Sequence, residues 1–150
     1  MTSLIEIQKF LAPKKMAIAG ASRNAKKFGA MIFEDLLKKG YQLYPVHPEA
    51  SEIRGVTCYR RLSDIPSGVE MLYIVTPKNQ TLSLVQQAIE RGIKRIWIQQ
   101  SSETPEAVDL ARKHDIPVIY GHCLFLFAEP VSGIHGFHRW MSKLIRTYPR

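Results

Sequence analysis

Cysteine is nearly missing from this chain: only Cys58 and Cys123 occur, far apart and in no metal-ligand or redox spacing. That excludes a disulfide framework and points to a reducing, cytoplasmic setting. Long apolar runs are missing too. The longest, Cys123 to Ala128, is six residues, against roughly 20 needed to span a bilayer. Glu6, Gln8 and Lys9 break up the N-terminus, which excludes a signal peptide there. Acids are few, 13 Asp and Glu against 21 Lys and Arg, for a formal net charge of +8. Such an excess attracts anions (nucleic acid, an acidic membrane surface or a phosphorylated small molecule) without choosing among them. No repeat, low-complexity segment or linker appears, so the 150 residues are read as a single domain with one core.

What is present is an alternation of strand-like and helix-like segments. Leu4 to Leu11 has the pattern of a short amphipathic helix closed by Pro13. Lys15 to Ala19 reads as a strand that is apolar on both faces. Phe28 to Lys39 follows as a helix, with Ile32, Phe33, Leu36 and Leu37 on one side and Gly40 as C-cap. Tyr41 to Val46 is a second strand, and Glu49 to Tyr59 reads as irregular, with one helical turn and a short extended piece. Leu62 to Pro66 connects to a third strand, Val69 to Val75. Thr76-Pro77 opens a helix that runs to about Arg91 and ends at Gly92. Arg95 to Ile98 is a fourth strand. Ser102 is the expected N-cap of a helix reaching about His114, and Ile116 to Tyr120 is a fifth strand. Strands without polar alternation, separated by helices, predict an α/β fold. It should be Rossmann-like, with a parallel sheet of about five strands and helices on both faces. Its ligand crevice should lie beyond the carboxyl ends of the strands, where the strand order reverses.

Four sequence positions occupy such ends: Gly20-Ala21-Ser22, Val46-His47-Pro48, Val75-Thr76-Pro77 and Gln99-Gln100-Ser101. The first is the most informative. The run Met16-Ala17-Ile18-Ala19 stops at Gly20, and a loop with Ser22, Arg23, Lys26 and Lys27 leads into the helix at Phe28 and Gly29. Backbone N–H groups and the positive end of a helix dipole meet there, which favours an anion. From Lys14 to Lys27 every charged residue is basic. The loop is not a dinucleotide fingerprint: Ser22 stands where G-x-G-x-x-G needs its second glycine. The second strand ends Tyr44-Pro45-Val46-His47-Pro48 without the carboxylate that bonds the ribose of NAD. An adenine nucleotide whose ribose carries its own phosphate fits better, and both NADP and coenzyme A (CoA) are such nucleotides.

Gly20-Ala21-Ser22-Arg23, Lys27-Phe28-Gly29, Tyr44 to Pro48, Gly55-Val56-Thr57-Cys58-Tyr59 and Leu62 to Pro66 together resemble the CoA-binding domain family. Val75-Thr76-Pro77 and Ile96 to Gln99 continue the likeness, which spans about residues 14–123. That family includes stand-alone bacterial CoA-binding proteins. The chain is also similar to the N-terminal domains of the succinyl-CoA synthetase alpha subunit and of the ADP-forming acyl-CoA synthetases. The resemblance implies CoA or acyl-CoA as ligand, extended across the strand ends. Gly20, Ser22, Phe28 and Gly29 would take the phosphates, within a loop that also holds Ala21, Arg23, Lys26 and Lys27. Val46, His47 and Pro48 would flank the adenosine. Thr76 and Pro77 would contact the nucleotide or the pantetheine arm, and Gln99 and Gln100 would lie nearer the thiol. Two residues depart from the family pattern: His47 replaces an Asn, and Glu49 replaces a Lys that often serves the ribose phosphate. Arg54 or Lys26 are the substitutes to consider.

No catalytic group emerges. Ser22 lacks a neighbouring base, so it is read as a loop cap or phosphate ligand. Cys123 is read as a buried structural cysteine, and His135 and His138 as surface residues without a third metal ligand. The synthetases act through a phosphorylated histidine on another domain, for which 150 residues leave no room. The expectation is a binding module; a small NADP-linked oxidoreductase is the alternative within the same fold. A third reading rests on the C-terminus. Phe137, Trp140, Met141, Leu144 and Ile145 recur at helical spacing between Arg139, Lys143 and Arg146, over about residues 134–146. Such a helix is read as packing on the domain or in a homo-oligomer, ahead of binding an anionic membrane or a protein partner. No nucleic-acid motif is present, and membrane contact is not expected.

Overall fold

The structure, a computed structural model, describes residues 2–128. A capped helix comes first: Ser3 and Glu6 form a reciprocal capping box at the start of α1 (Leu4–Leu11). Then come β1 (Lys15–Ala19), α2 (Phe28–Lys38) and β2 (Gln42–Val46). A hairpin of β3 (Glu52–Ile53) and β4 (Val56–Thr57) follows. After a 3-10 turn at Leu62–Asp64 come β5 (Met71–Ile74), α3 (Lys78–Arg91), β6 (Arg95–Gln99), α4 (Pro105–Lys113) and β7 (Val118–His122), with a second 3-10 turn at Leu124–Leu126.

Five strands form one parallel sheet in the order β2-β1-β5-β6-β7. The direction of winding reverses between β1 and β5, the place where an open α/β sheet opens a crevice. The three inner strands explain their own composition. Met16 to Ala19 and Met71 to Ile74 are all buried, because helices cover both faces. On one face Ile7, Phe10, Ile32, Phe33 and Leu36 of α1 and α2 pack on Met16, Ile18, Tyr73 and Trp97. On the other, Leu84, Val85, Ala88, Ala107 and Ala111 of α3 and α4 pack on Ala17, Ala19, Leu72, Ile74 and Ile98. The β2 edge strand does alternate, with Gln42 exposed and Leu43 buried, whereas β7 at the other edge exposes both Tyr120 and Gly121. No described helix is long and apolar enough to cross a membrane.

Four local expectations are corrected. Between Glu49 and Tyr59 there is no helical turn: Arg54 (φ 50°) and Gly55 (φ 76°) make a tight turn between β3 and β4. Both central residues sit at positive φ, as a type I′ hairpin requires, and Arg54 is an uncommon supplier of that geometry. The cap of α4 is Thr104, whose hydroxyl accepts from the Ala107 N–H, and not Ser102. Ser102 instead uses its carbonyl to accept from the Thr81 hydroxyl at 2.6 Å. The last strand begins at Val118 because Ile116 belongs to the end of α4. Asp115 turns back at φ 56° and the Ile116 N–H donates to the Ala111 carbonyl, a helix-closing bond. Cys123, expected buried, is half-buried against the core. The expected C-terminal helix falls outside the described residues, as do His135 and His138.

Candidate functional site

Strand register assembles the site. Across the tops of the strands, Ile98, Ile74, Ala19 and Val46 stand in one row. Tyr59 extends that row through a parallel bridge to Val46. Its N–H donates to the Pro45 carbonyl at 2.8 Å, and its carbonyl accepts from the His47 N–H at 2.9 Å. The next residue of each segment therefore emerges at the sheet's upper edge: Gln99, Val75, Gly20, His47 and Arg60. All five line one crevice of about 820 Å³, within the usual size range of a small-molecule site.

Two glycines let the walls come together. Gly20 lies at φ +107°, and a Cβ there would sit 2.5 Å from the Val75 carbonyl oxygen. A Cβ on Gly29 would fall on the Gly20 carbonyl oxygen itself. The end of β1, the first turn of α2 and the end of β5 are thus in backbone contact. Between them the loop orders itself. Ser22 Oγ accepts from the Asn24 N–H, Asn24 Oδ1 accepts from the Lys26 N–H, and the Lys27 N–H donates to the Asn24 carbonyl. Ser22 therefore braces the loop, and the α2 cap position falls to Lys27, whose side chain makes no capping bond.

The helix ends differ in kind. α1 and α4 are capped by Ser3 and Thr104 and carry Glu6 and Glu106 in their first turns. α2 and α3, whose first turns meet the crevice, have no side-chain cap and no acid there. Their leading N–H groups and positive dipole ends stay available to an anion. Thr76, just before α3, is only 7 % exposed, and its hydroxyl is buried without a hydrogen-bond partner. A lone buried hydroxyl is costly, and this one stands in the crevice wall.

His47 holds the turn after β2. Its Nδ1 accepts from the Glu49 N–H at 3.1 Å and from the Ala50 N–H at 2.9 Å. An Asn side-chain oxygen can accept in the same way. With Nδ1 accepting, the ring proton sits on Nε2. His47→Asn is expected to keep both bonds and leave the melting temperature nearly unchanged. His47→Ala should cost about 1–2 kcal/mol through two orphaned amides, measured by urea titration. Equal losses for both variants would contradict the capping role.

At the other end, the Gln99 amide is fixed. Its Oε1 accepts from the Tyr73 hydroxyl at 2.8 Å and from the Leu124 N–H at 3.1 Å. Burial pushes the Tyr73 phenol well above its ordinary pKa, with the nearby Cys123 adding to the rise, so the hydroxyl stays a donor. Beyond Gln99 the chain turns through Ser101 at φ 74°, and the Ser102 N–H closes onto the Gln99 carbonyl at 2.8 Å. A non-glycine residue in that region marks a strained turn, and Gln100, Ser101 and Ser102 all face the crevice.

Of the residues singled out from sequence, Gly20, Ala21, Ser22, Lys27, Phe28, Gly29, Val46, His47, Pro48, Thr76, Pro77, Gln99 and Gln100 line this crevice. Arg23 and Lys26 do not, although their loop does. Arg54 is also elsewhere, paired with Glu34 at 3.4 Å. Arg60, Gln80 and Gln87 are lining residues that the sequence pattern does not single out. Gln80 and Gln87 lie in the first and third turns of α3.

Residues 14–129 match the family described as the CoA binding domain. The chain belongs to that family. This CoA-binding domain is 29% identical over 126 residues to the ADP-forming acetate–CoA ligase II subunit alpha of Pyrococcus furiosus. The match takes in 77% of the chain but only 28% of the ligase subunit. A hypothetical protein from Pyrococcus horikoshii has the same architecture at a TM-score of 0.81 and 29% identity, covering 88% of this chain and 94% of that one. A third relative is the dinucleotide-forming acetyl-coenzyme A synthetase 1 of Ca. Korarchaeum cryptofilum, solved with phosphate and ADP. It aligns at a TM-score of 0.67 and 28% identity, over 75% of this chain and 26% of that one. The CoA-binding domain thus resembles both a protein of similar length and one part of much longer ligases.

Proposed function

We propose that this CoA-binding domain holds CoA or an acyl-CoA in the crevice above the strand tops. The diphosphate lies against the first turn of α2, beside Gly20, Ser22 and Lys27. The adenosine lies along Val46, His47 and Pro48. The pantetheine arm passes Thr76 and Pro77, and the thiol end reaches Gln99 and Gln100. One observation carries the reading. A buried, unpartnered Thr76 hydroxyl stands in a crevice into which two uncapped, acid-free helix starts open. A ligand with an anionic head and a polar, amide-bearing arm satisfies all three at once.

The proposed role is binding rather than reaction. Two crevice residues with nucleophilic or basic chemistry, Ser22 and His47, accept hydrogen bonds from local backbone amides. Titration of the full chain with CoA, followed by thermal denaturation, tests this. At CoA a hundredfold above its dissociation constant, the folded state should gain about 2.7 kcal/mol. NADPH at equal concentration should give no shift. Stabilisation by NADPH without stabilisation by CoA would overturn the assignment.

A further inference from the structure

We propose that Arg60 is the residue by which this crevice recognises a phosphate on the ligand's ribose, and so prefers CoA over nucleotides lacking that group. The inference rests on the CoA reading above and adds a residue and a selectivity to it.

Position argues first. The parallel bridge between Val46 and Tyr59 adds one more extended segment outside β2. Arg60 is the first residue past that bridge, beside His47 and at the same level as Gly20. Gly20 follows β1, and Arg60 follows a segment two strand spacings away, about 10 Å along the sheet edge. Lys27, at the α2 start, and Arg60 are the only lysine or arginine residues lining the crevice among those described, and no acid lines it. The two cations therefore mark two separate anion positions. A ligand with only a diphosphate fills the first. A ligand with a diphosphate and a distant phosphomonoester fills both.

Availability argues second. Arg60 is exposed, and no described carboxylate pairs with it, whereas Arg54 is held by Glu34 and Lys94 by Glu70. Glu49, the acid nearest in sequence to the β2 tip, does not line the crevice. A guanidinium offers a fork of N–H donors matched to phosphate oxygens, and a pair of that kind is stronger than an ordinary hydrogen bond. Tyr59 anchors the backbone at Arg60, so the segment does not have to be ordered by the ligand.

Calorimetric titration of the full chain with CoA and with dephospho-CoA tests the proposal in the unaltered protein, Arg60→Ala and Arg60→Lys. The unaltered protein should bind CoA at least about tenfold more tightly than dephospho-CoA, since a lost charged contact is worth a factor of that order. In R60A the CoA affinity should fall to that of dephospho-CoA, whose own affinity should not change. R60K should recover part of the preference. Failure of the unaltered protein to bind either ligand would overturn the CoA reading and this inference together. Equal binding of both ligands by the unaltered protein, or a preference retained in R60A, would overturn the role of Arg60 alone.

Discussion

Gly29→Ala should lower the melting temperature by roughly 6–12 °C. The added Cβ would land on the Gly20 carbonyl oxygen, and backbone meeting backbone has no side chain to swing away. Overpacking of this kind costs about 3 kcal/mol at the upper end of the usual range, and a domain of this size moves about 2–4 °C per kcal/mol. Gly20→Ala should be at least as damaging. It adds a contact of 2.5 Å with the Val75 oxygen to a backbone held at φ +107°. Gly40→Ala is the control: that residue is at φ +82°, and an added methyl would meet nothing within 4 Å. It should lose only the stability that backbone strain takes away, about 1–2 kcal/mol. Calorimetric melts of the three variants separate the effects. A Gly29→Ala protein that melts with the unaltered one would show that α2 is not seated on the β1 loop.

Lys27→Glu should move stability and binding in opposite directions. Lys27 occupies the N-cap of α2, a helix without an acid in its first turn. A carboxylate there meets the positive dipole end and should stabilise the ligand-free protein by about 0.3–1 kcal/mol. The same substitution removes a cation from the proposed diphosphate position and puts a like charge in its place. Loss of a charged hydrogen bond alone is worth about 1.5–3 kcal/mol, so CoA affinity should drop by at least about ten- to a hundredfold. The drop should shrink as salt is raised, because exposed charges are screened. A destabilised protein with unaltered CoA affinity would contradict both halves.

The core of the fold was legible because its signals are local. An unbroken apolar run ending in Gly20 marks β1, and Phe28 to Lys38 shows its buried stripe at helical spacing. The crevice was legible for the same reason: parallel strands raise their carboxyl ends to one edge, so the residues after each run meet there. The rest depends on contacts between distant parts of the chain. Arg60 enters the site only through the Tyr59–Val46 bridge, which leaves no periodic trace. The Arg54–Gly55 turn needs an arginine at positive φ, a residue type that gives no turn signal. Ser102 and Thr104 are both cap-forming types, and the cap falls to Thr104, whose hydroxyl accepts from the Ala107 N–H. The role of His47 Nδ1, which accepts from the Glu49 and Ala50 amides, follows from the turn's geometry and not from residue type.

The described residues enclose a second cavity of about 800 Å³, between α1 and the edge strand β7, lined by Phe10, Arg95, Arg112 and Tyr120 among others. It is similar in size to the strand-top crevice, so volume alone does not choose between them. A crystal structure of the full chain with CoA bound is therefore the most direct measurement. The expected result places the diphosphate oxygens within hydrogen-bond distance of the Phe28 and Gly29 amides, with the pantetheine arm passing Thr76. CoA lodged in the cavity beside β7, with those amides untouched, would contradict it.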